Sequence, residues 1–240
     1  MINSASHTTN NGLVTIFLLT SVIFFSACRA DNIVIVKEEP SVMTGIENIL
    51  ILPFKDMSVV FGENEDARCP VCGKVFTTGE VVESASDVLT EQMFSLLKDR
   101  TDIELIPSSQ AQGVMSILLT EKNKELHDRD LLVEIGRALN ADAVVAGYIY
   151  RFRERVGGKY SADSPASVAF DIHLVRVVDR RLLWSGHFDE TQRPLSDDLL
   201  GLGTFLKRRA RWITAKEMAI SGLNDMFKSF PSSTNTSTNQ

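Results

Sequence analysis

Residues 139–190 read LNADAVVAGYIYRFRERV, a short polar loop, then ASVAFDIHLVRVVDRRLLWSGHFDE. No other stretch restricts the fold as much. Runs rich in Val, Ile, Tyr and Phe, separated by polar punctuation, are strand sequence. The spacing predicts three consecutive β-strands, the last two forming a hairpin. Phe170, Ile172 and Leu174 alternate with Asp171 and His173, and Trp184 and Phe188 alternate with Ser185 and His187. A three-residue loop, Asp179-Arg180-Arg181, brings both apolar sets onto one face, whereas a two-residue loop sets Trp184 opposite Val175 on the polar face. The three-residue loop therefore predicts His173 opposite His187 and Arg176 opposite Trp184.

The remaining chain supplies what packs on those strands. Residues 48–54, NILILPF, form a continuous apolar run suited to a strand buried on both faces, with Pro53 near its end. Residues 84–97 place Ala85, Val88, Leu89, Met93, Leu96 and Leu97 on one helical stripe. Residues 103–106 form a short strand stopped by Pro107. Ser108 caps a helix running to about Leu119, and Asp128 caps another that Asn140 ends in a left-handed conformation. Thr214-Ala215-Lys216-Glu217 is a capping box, flanked by Ile213 and Met218 as a hydrophobic staple. The helix it starts runs to about Phe227 and buries Ala219, Leu223, Met226 and Phe227. The fold class is α/β: a single domain over residues 48–230, its mixed sheet ending in a three-strand meander with helices packed on it. Residues 55–82 interrupt this pattern as a long irregular insertion, and residues 231–240, PSSTNTSTNQ, have nothing apolar to bury and are expected to be disordered.

The amino terminus reads as an export signal. Residues 13–25, LVTIFLLTSVIFF, are shorter than the roughly 20 apolar residues of a membrane span. They suit the apolar core of a signal peptide. Phe25-Ser26-Ala27-Cys28 follows at once and resembles the bacterial lipobox, although no Lys or Arg precedes Leu13. The resemblance implies cleavage after residue 27, diacylglycerol on Cys28, and a tether over residues 28–47. Arg29 stands where Asp would favour inner-membrane retention, so the expected location is the outer membrane, facing the periplasm. A net charge of −6 argues against broad nucleic-acid binding, which depends on Lys and Arg neutralising phosphates.

Three segments carry a family resemblance: ILPF (51–54), GRALNADAVVAGYIYRF (136–152) and HLVRVVDRRLLWSGHF (173–188). In this order they resemble the α/β domain shared by the curli secretion lipoprotein CsgG, the lipoprotein LpoB and the amino-terminal domain of TolB. The resemblance covers roughly residues 48–190 and implies a non-catalytic envelope module. Its partners would be other envelope proteins or further copies of itself as an oligomer, with the membrane reached through the lipid on Cys28. The residue 55–82 insertion is no part of the common pattern.

Chemistry-bearing residues are few. Cys69 and Cys72 have C-x-x-C spacing, which suits a local disulfide, half of a zinc site or a redox dithiol. Export favours the disulfide. Zinc is the one cofactor these residues suggest, and no second cysteine pair completes a set of four ligands. A metal-binding or thiol-redox protein using this pair is the alternative function. His173 and His187, with Asp171 nearby, could form a ligand pair across two strands; the plainer reading is two polar residues on a wetter sheet face. Lys207, Arg208, Arg209 and Arg211 could meet anionic lipid or an acidic partner, against a plain solvated face. There is no G-x-S-x-G elbow, no phosphate loop and no G-x-G-x-x-G, and no enzyme activity is expected.

Overall fold

The structure is a computed structural model and describes residues 33–36, 43–121, 128–158, 162–192 and 212–232. The leader, Cys28 and the basic cluster at 207–211 lie outside these residues, as do 233–240 of the tail. All that is described belongs to one compact unit spanning residues 32–240. Its strands are β1 (Ile33–Val36), β2 (Asn48–Ile51), β3 (Lys55–Asp56), β4 (Asp66–Arg68), β5 (Val75–Thr77), β6 (Glu104–Ile106), β7 (Ala143–Arg153), β8 (Val156–Gly157), β9 (Ala162–Ser164), β10 (Ser167–Arg176) and β11 (Leu182–Thr191). Its helices are α1 (Ser58–Phe61), α2 (Ala85–Leu97), α3 (Ser108–Glu121), α4 (Asp128–Ala138) and α5 (Ala215–Phe227).

The main sheet runs β1-β11-β10-β7-β2-β6, with β3 pairing β7 beyond the end of β2. Pairing is antiparallel from β1 to β7 and parallel from β7 through β2 to β6, so the sheet is mixed as the sequence predicts. The three-strand meander β7-β10-β11 is its centre. Asp142 fixes the entry of β7, because its Oδ2 accepts from the backbone N–H groups of Glu47 (2.9 Å) and Asn48 (2.8 Å) and so aligns β2 with β7. Asn140, at φ 53°, ends the preceding helix in the left-handed conformation expected of it.

The sheet is buried on both faces. On the first, Ile49, Ile51, Val145, Phe170, Ile172, Leu174, Trp184 and Phe188 pack under α2 and α5. The Thr214 side chain accepts from Glu217 N–H, and Glu217 accepts from Thr214 N–H, so the capping box forms. The staple residues Ile213 and Met218 are both in this core. On the second face, Leu50, Val144, Ala146, Tyr148, Tyr150 and Val175 meet Leu132, Val133 and Ile135 of α4. Met57, Ala67, Cys69, Val71 and Phe76 of the insertion complete that layer. The insertion thus carries α1 and the β4–β5 hairpin, and it lies on the sheet as part of the core.

The β10–β11 register differs from the expected one. His173 pairs with Ser185, Asp171 with His187 and Leu174 with Trp184; His187 does not face His173, nor Arg176 Trp184. The turn is longer than three residues: Arg176 N–H donates to Arg181 O (2.8 Å), and Arg180 takes φ 63°. A bulge also interrupts the ladder, where Leu174 pairs Trp184 but Val175 pairs Leu182. The extra residue, Leu183, leaves consecutive Leu183 and Trp184 in the same core. Because the shift along most of the ladder is an even number of residues, the apolar sets still share one face, as predicted.

Candidate functional site

The Cys69-Pro70-Val71-Cys72-Gly73 segment is the turn that joins β4 to β5. Cys69 N–H donates to Lys74 O (2.7 Å) and Gly73 N–H to Cys69 O (2.9 Å). Gly73 sits at φ 78°, a conformation that favours glycine and lets the chain reverse here. The N–H groups of Val71 and Cys72 both point at Cys69 Sγ, at 3.4 and 3.5 Å. Both cysteines are free thiols.

Below this turn lies the polar side of β10 and β11. Asp171 and His173 are two residues apart on one strand and therefore share a face. His173 Nε2 stands 3.2 Å from Cys69 Sγ and 3.2 Å from Asp171 Oδ2. Its other nitrogen, Nδ1, is 3.0 Å from Ser185 Oγ, which is in turn 3.2 Å from His187 Nε2. Tyr150 O–H donates to Asp171 Oδ2 at 3.0 Å. Phe76 of the insertion stacks on the Tyr150 ring at 4.2 Å and 10°, holding the turn above the cluster. The expected wetter face is absent: Asp171, His173 and Ser185 are 0% exposed and His187 is 3% exposed. The insertion supplies the cover that excludes water there.

Burial without full pairing gives the site unusual electrostatics. Among the described residues, Asp171 Oδ1 and His187 Nδ1 have no hydrogen-bond partner. A buried carboxylate oxygen left this way is costly. Burial opposes protonation of His173, but the Asp171 charge and hydrogen bond outweigh it and raise the imidazole to about 9. Burial pushes His187 down to about 4. The hydrogen bond shared with Cys72, then burial, raise the Cys69 thiol well above its ordinary range, and the same bond lowers Cys72. Burial also raises Tyr148 and Tyr150.

Two chemistries come to mind for this set. Ser185, His173 and Asp171 form a connected serine–imidazole–carboxylate chain; all three are 0% exposed, and of the three only Ser185 borders the adjoining cleft. The other is metal ligation: one donor atom each from Cys69, Cys72, Asp171 and His173 lies within 4.8 Å of every other. An open cleft of ≈ 860 Å³ adjoins the cluster, walled by Cys72, His187, Lys74, Arg129, Arg180 and Arg181.

Of the residues singled out in the sequence, the fold brings Cys69, Cys72 and His173 together and places His187 one step removed, behind Ser185. Cys28, Lys207, Arg208, Arg209 and Arg211 lie outside the described residues. Sequence reasoning gave Asp171 only a bystander's place and missed Ser185 and Tyr150. The Asp171-x-His173 spacing was the available signal, since period two puts both side chains on one strand face.

No family model matches the chain, and no curated protein matches it. Among solved structures, the chain is similar to the PelC dodecamer from Paraburkholderia phytofirmans, with 11% identity and a TM-score of 0.43 over 81% of this chain and 93% of that one. It is similar to the LpoB C-terminal domain from Escherichia coli, at 16% identity and a TM-score of 0.37 over 61% and 83%. It is also similar to lipoprotein GNA1162 from Neisseria meningitidis, at 10% identity and a TM-score of 0.36 over 68% and 98%.

Proposed function

We propose that this protein is a lipid-anchored, non-catalytic module of the bacterial cell envelope, held at the outer membrane by acylated Cys28 and facing the periplasm, which binds or assembles envelope proteins through its surface. The observation that carries this reading is where the fold spends its polar and apolar groups. The groups able to do chemistry, Asp171, His173 and Ser185, are each 0% exposed, and only Ser185 among them borders the adjoining cleft. The surface instead presents an apolar turn, with Val59 82%, Val60 58% and Phe61 41% exposed. The signal-peptide and lipobox residues and the three-segment family resemblance point the same way.

The test uses the lipidated protein in its own envelope. Affinity capture from detergent-solubilised envelopes, with the oligomeric state read by light scattering, is expected to return a specific envelope protein or a defined oligomer. The double substitution Val59→Ser/Phe61→Ser is expected to abolish it. A monomer that captures nothing above background overturns the proposal. Incorporation of a radiolabelled lipid precursor into the native chain but not into Cys28→Ala is expected; an unlabelled native chain overturns the anchor.

A further inference from the structure

We infer that Cys69, Cys72, Asp171 and His173 are the four ligands of a structural zinc ion that pins the 55–82 insertion to the centre of the sheet. The inference is independent of the proposed envelope role.

Geometry carries it first. Tetrahedral zinc with bond lengths of about 2.3 Å to sulfur and 2.0–2.1 Å to nitrogen or oxygen sets donor atoms roughly 3.3–3.6 Å apart along its S–N and N–O edges. Here the Cys69 Sγ–His173 Nε2 and His173 Nε2–Asp171 Oδ2 separations are both 3.2 Å. All four donors fall within 4.8 Å of one another. A small adjustment of a cluster without an ion in it accounts for the difference.

The surroundings prepare each donor. N–H groups of Val71 and Cys72 aimed at Cys69 Sγ would support its thiolate once a metal has displaced the thiol proton. In the tautomer where Ser185 Oγ accepts from His173 Nδ1–H, the Nε2 lone pair faces Cys69 and Asp171. This is the usual supporting bond of a metal-bound histidine. Asp171, fully buried with Oδ1 unpartnered, is the observation a hydrogen-bonded thiol–imidazole network alone leaves unexplained. A cation bound at Oδ2 neutralises the buried carboxylate's charge, which no hydrogen bond to Oδ1 offsets. Two thiolates, one carboxylate and a neutral imidazole favour zinc over calcium or magnesium, which take all-oxygen shells. Four protein ligands leave no open position, the mark of a structural rather than a catalytic site. Cys72 is half-buried and walls the adjoining cleft, which gives an ion its way in.

Binding is a ligand exchange without oxidation. The two thiols, and His173 where it carries its second proton, release protons to solvent as the S–Zn and N–Zn bonds form, and the ion sheds water. The site exists only with both thiols reduced, so a Cys69–Cys72 disulfide is the direct competitor in an exported protein.

The test is metal analysis of the full chain purified from the envelope without chelator. We expect one zinc per chain. Replacement by Co²⁺ should give the intense visible bands of a tetrahedral site and a thiolate-to-cobalt charge-transfer band in the near ultraviolet. Cys69→Ser or His173→Gln should abolish the charge-transfer intensity or the stoichiometry. Where those chains fail to fold, the cobalt spectrum of the native chain still decides the matter. Ser185 is a positioning residue: Ser185→Ala should weaken cobalt binding by about 10–100-fold, and Ser185→Thr should restore it. A native chain that holds no zinc overturns the inference if its cysteines form a disulfide, or if its reduced thiols give no cobalt charge-transfer band.

Discussion

Gly147 shows how little freedom single positions in the sheet have. A Cβ there would meet the Phe54 ring at 2.3–2.6 Å, and Phe54 belongs to the buried first-face core. Gly147→Ala is expected to destabilise the protein by about 2–3 kcal/mol through overpacking, read as a lower urea midpoint with unchanged slope. Gly113 lies in α3, and a methyl group added to its Cα would meet nothing within 4 Å. Gly113→Ala is therefore expected to stabilise by roughly 0.5–1 kcal/mol, because alanine loses less backbone entropy on entering a helix. Asp142 is the third instructive residue. Its carboxylate accepts two backbone N–H groups from the start of β2. Asp142→Ala is expected to cost about 1.5–3 kcal/mol, the range for hydrogen bonds to a charged group, by the same denaturation measurement.

Elements here owe their limits to local chemistry and their placement to packing. In α5, both bonds of the capping box are present and the staple pair is buried. Thr214→Ala is expected to remove about 1 kcal/mol and lower the thermal midpoint by a few degrees. The meander depends on two irregularities. One is the bulge at Tyr150, where Ala169 pairs Arg151 but Phe170 pairs Ile149. Tyr150 stays on the second face with Ala146 and Tyr148, and the bulge turns Phe152 to the first. The other is the β10–β11 bulge at Leu183. Arg151 is half-buried and reaches Thr77 O (2.8 Å), Ser167 Oγ and Asp189. Arg151 thereby links the insertion to β10 and β11.

At the scale of the whole molecule, the insertion forms part of a third layer. Helices α2 and α5 cover one face of the sheet, while α4 and the β4–β5 hairpin share the other. Phe76 is the hairpin's main apolar anchor, stacked on Tyr150. Phe76→Ala is expected to weaken that docking by about 3–5 kcal/mol. Hydrogen exchange should then speed up across residues 66–77 while the amides of β7 and β10 keep their protection, the signature of a local rather than a global opening. Uniform loss of protection throughout the sheet would instead make the hairpin part of one cooperative unit with it.

Several features were legible in the chain alone because each depends on near neighbours. The Thr214–Glu217 box, the left-handed Asn140 and the stripe of α2 are set by residues within one or two turns. The shared face of Phe170, Leu174 and Trp184 follows from strand period, which survives any even shift in register. The register itself did not follow, since a bulge and a longer turn change pairing without disturbing that alternation. Nor did the burial of Asp171, His173 and His187. Alternation separates a strand's two faces, but whether the polar one meets water depends on what lies over it. Here the cover is Cys69 and its turn, 104 residues before His173 in sequence. Only the folded chain brings them together, because burial is a property of the space around a side chain and not of its neighbours along the backbone.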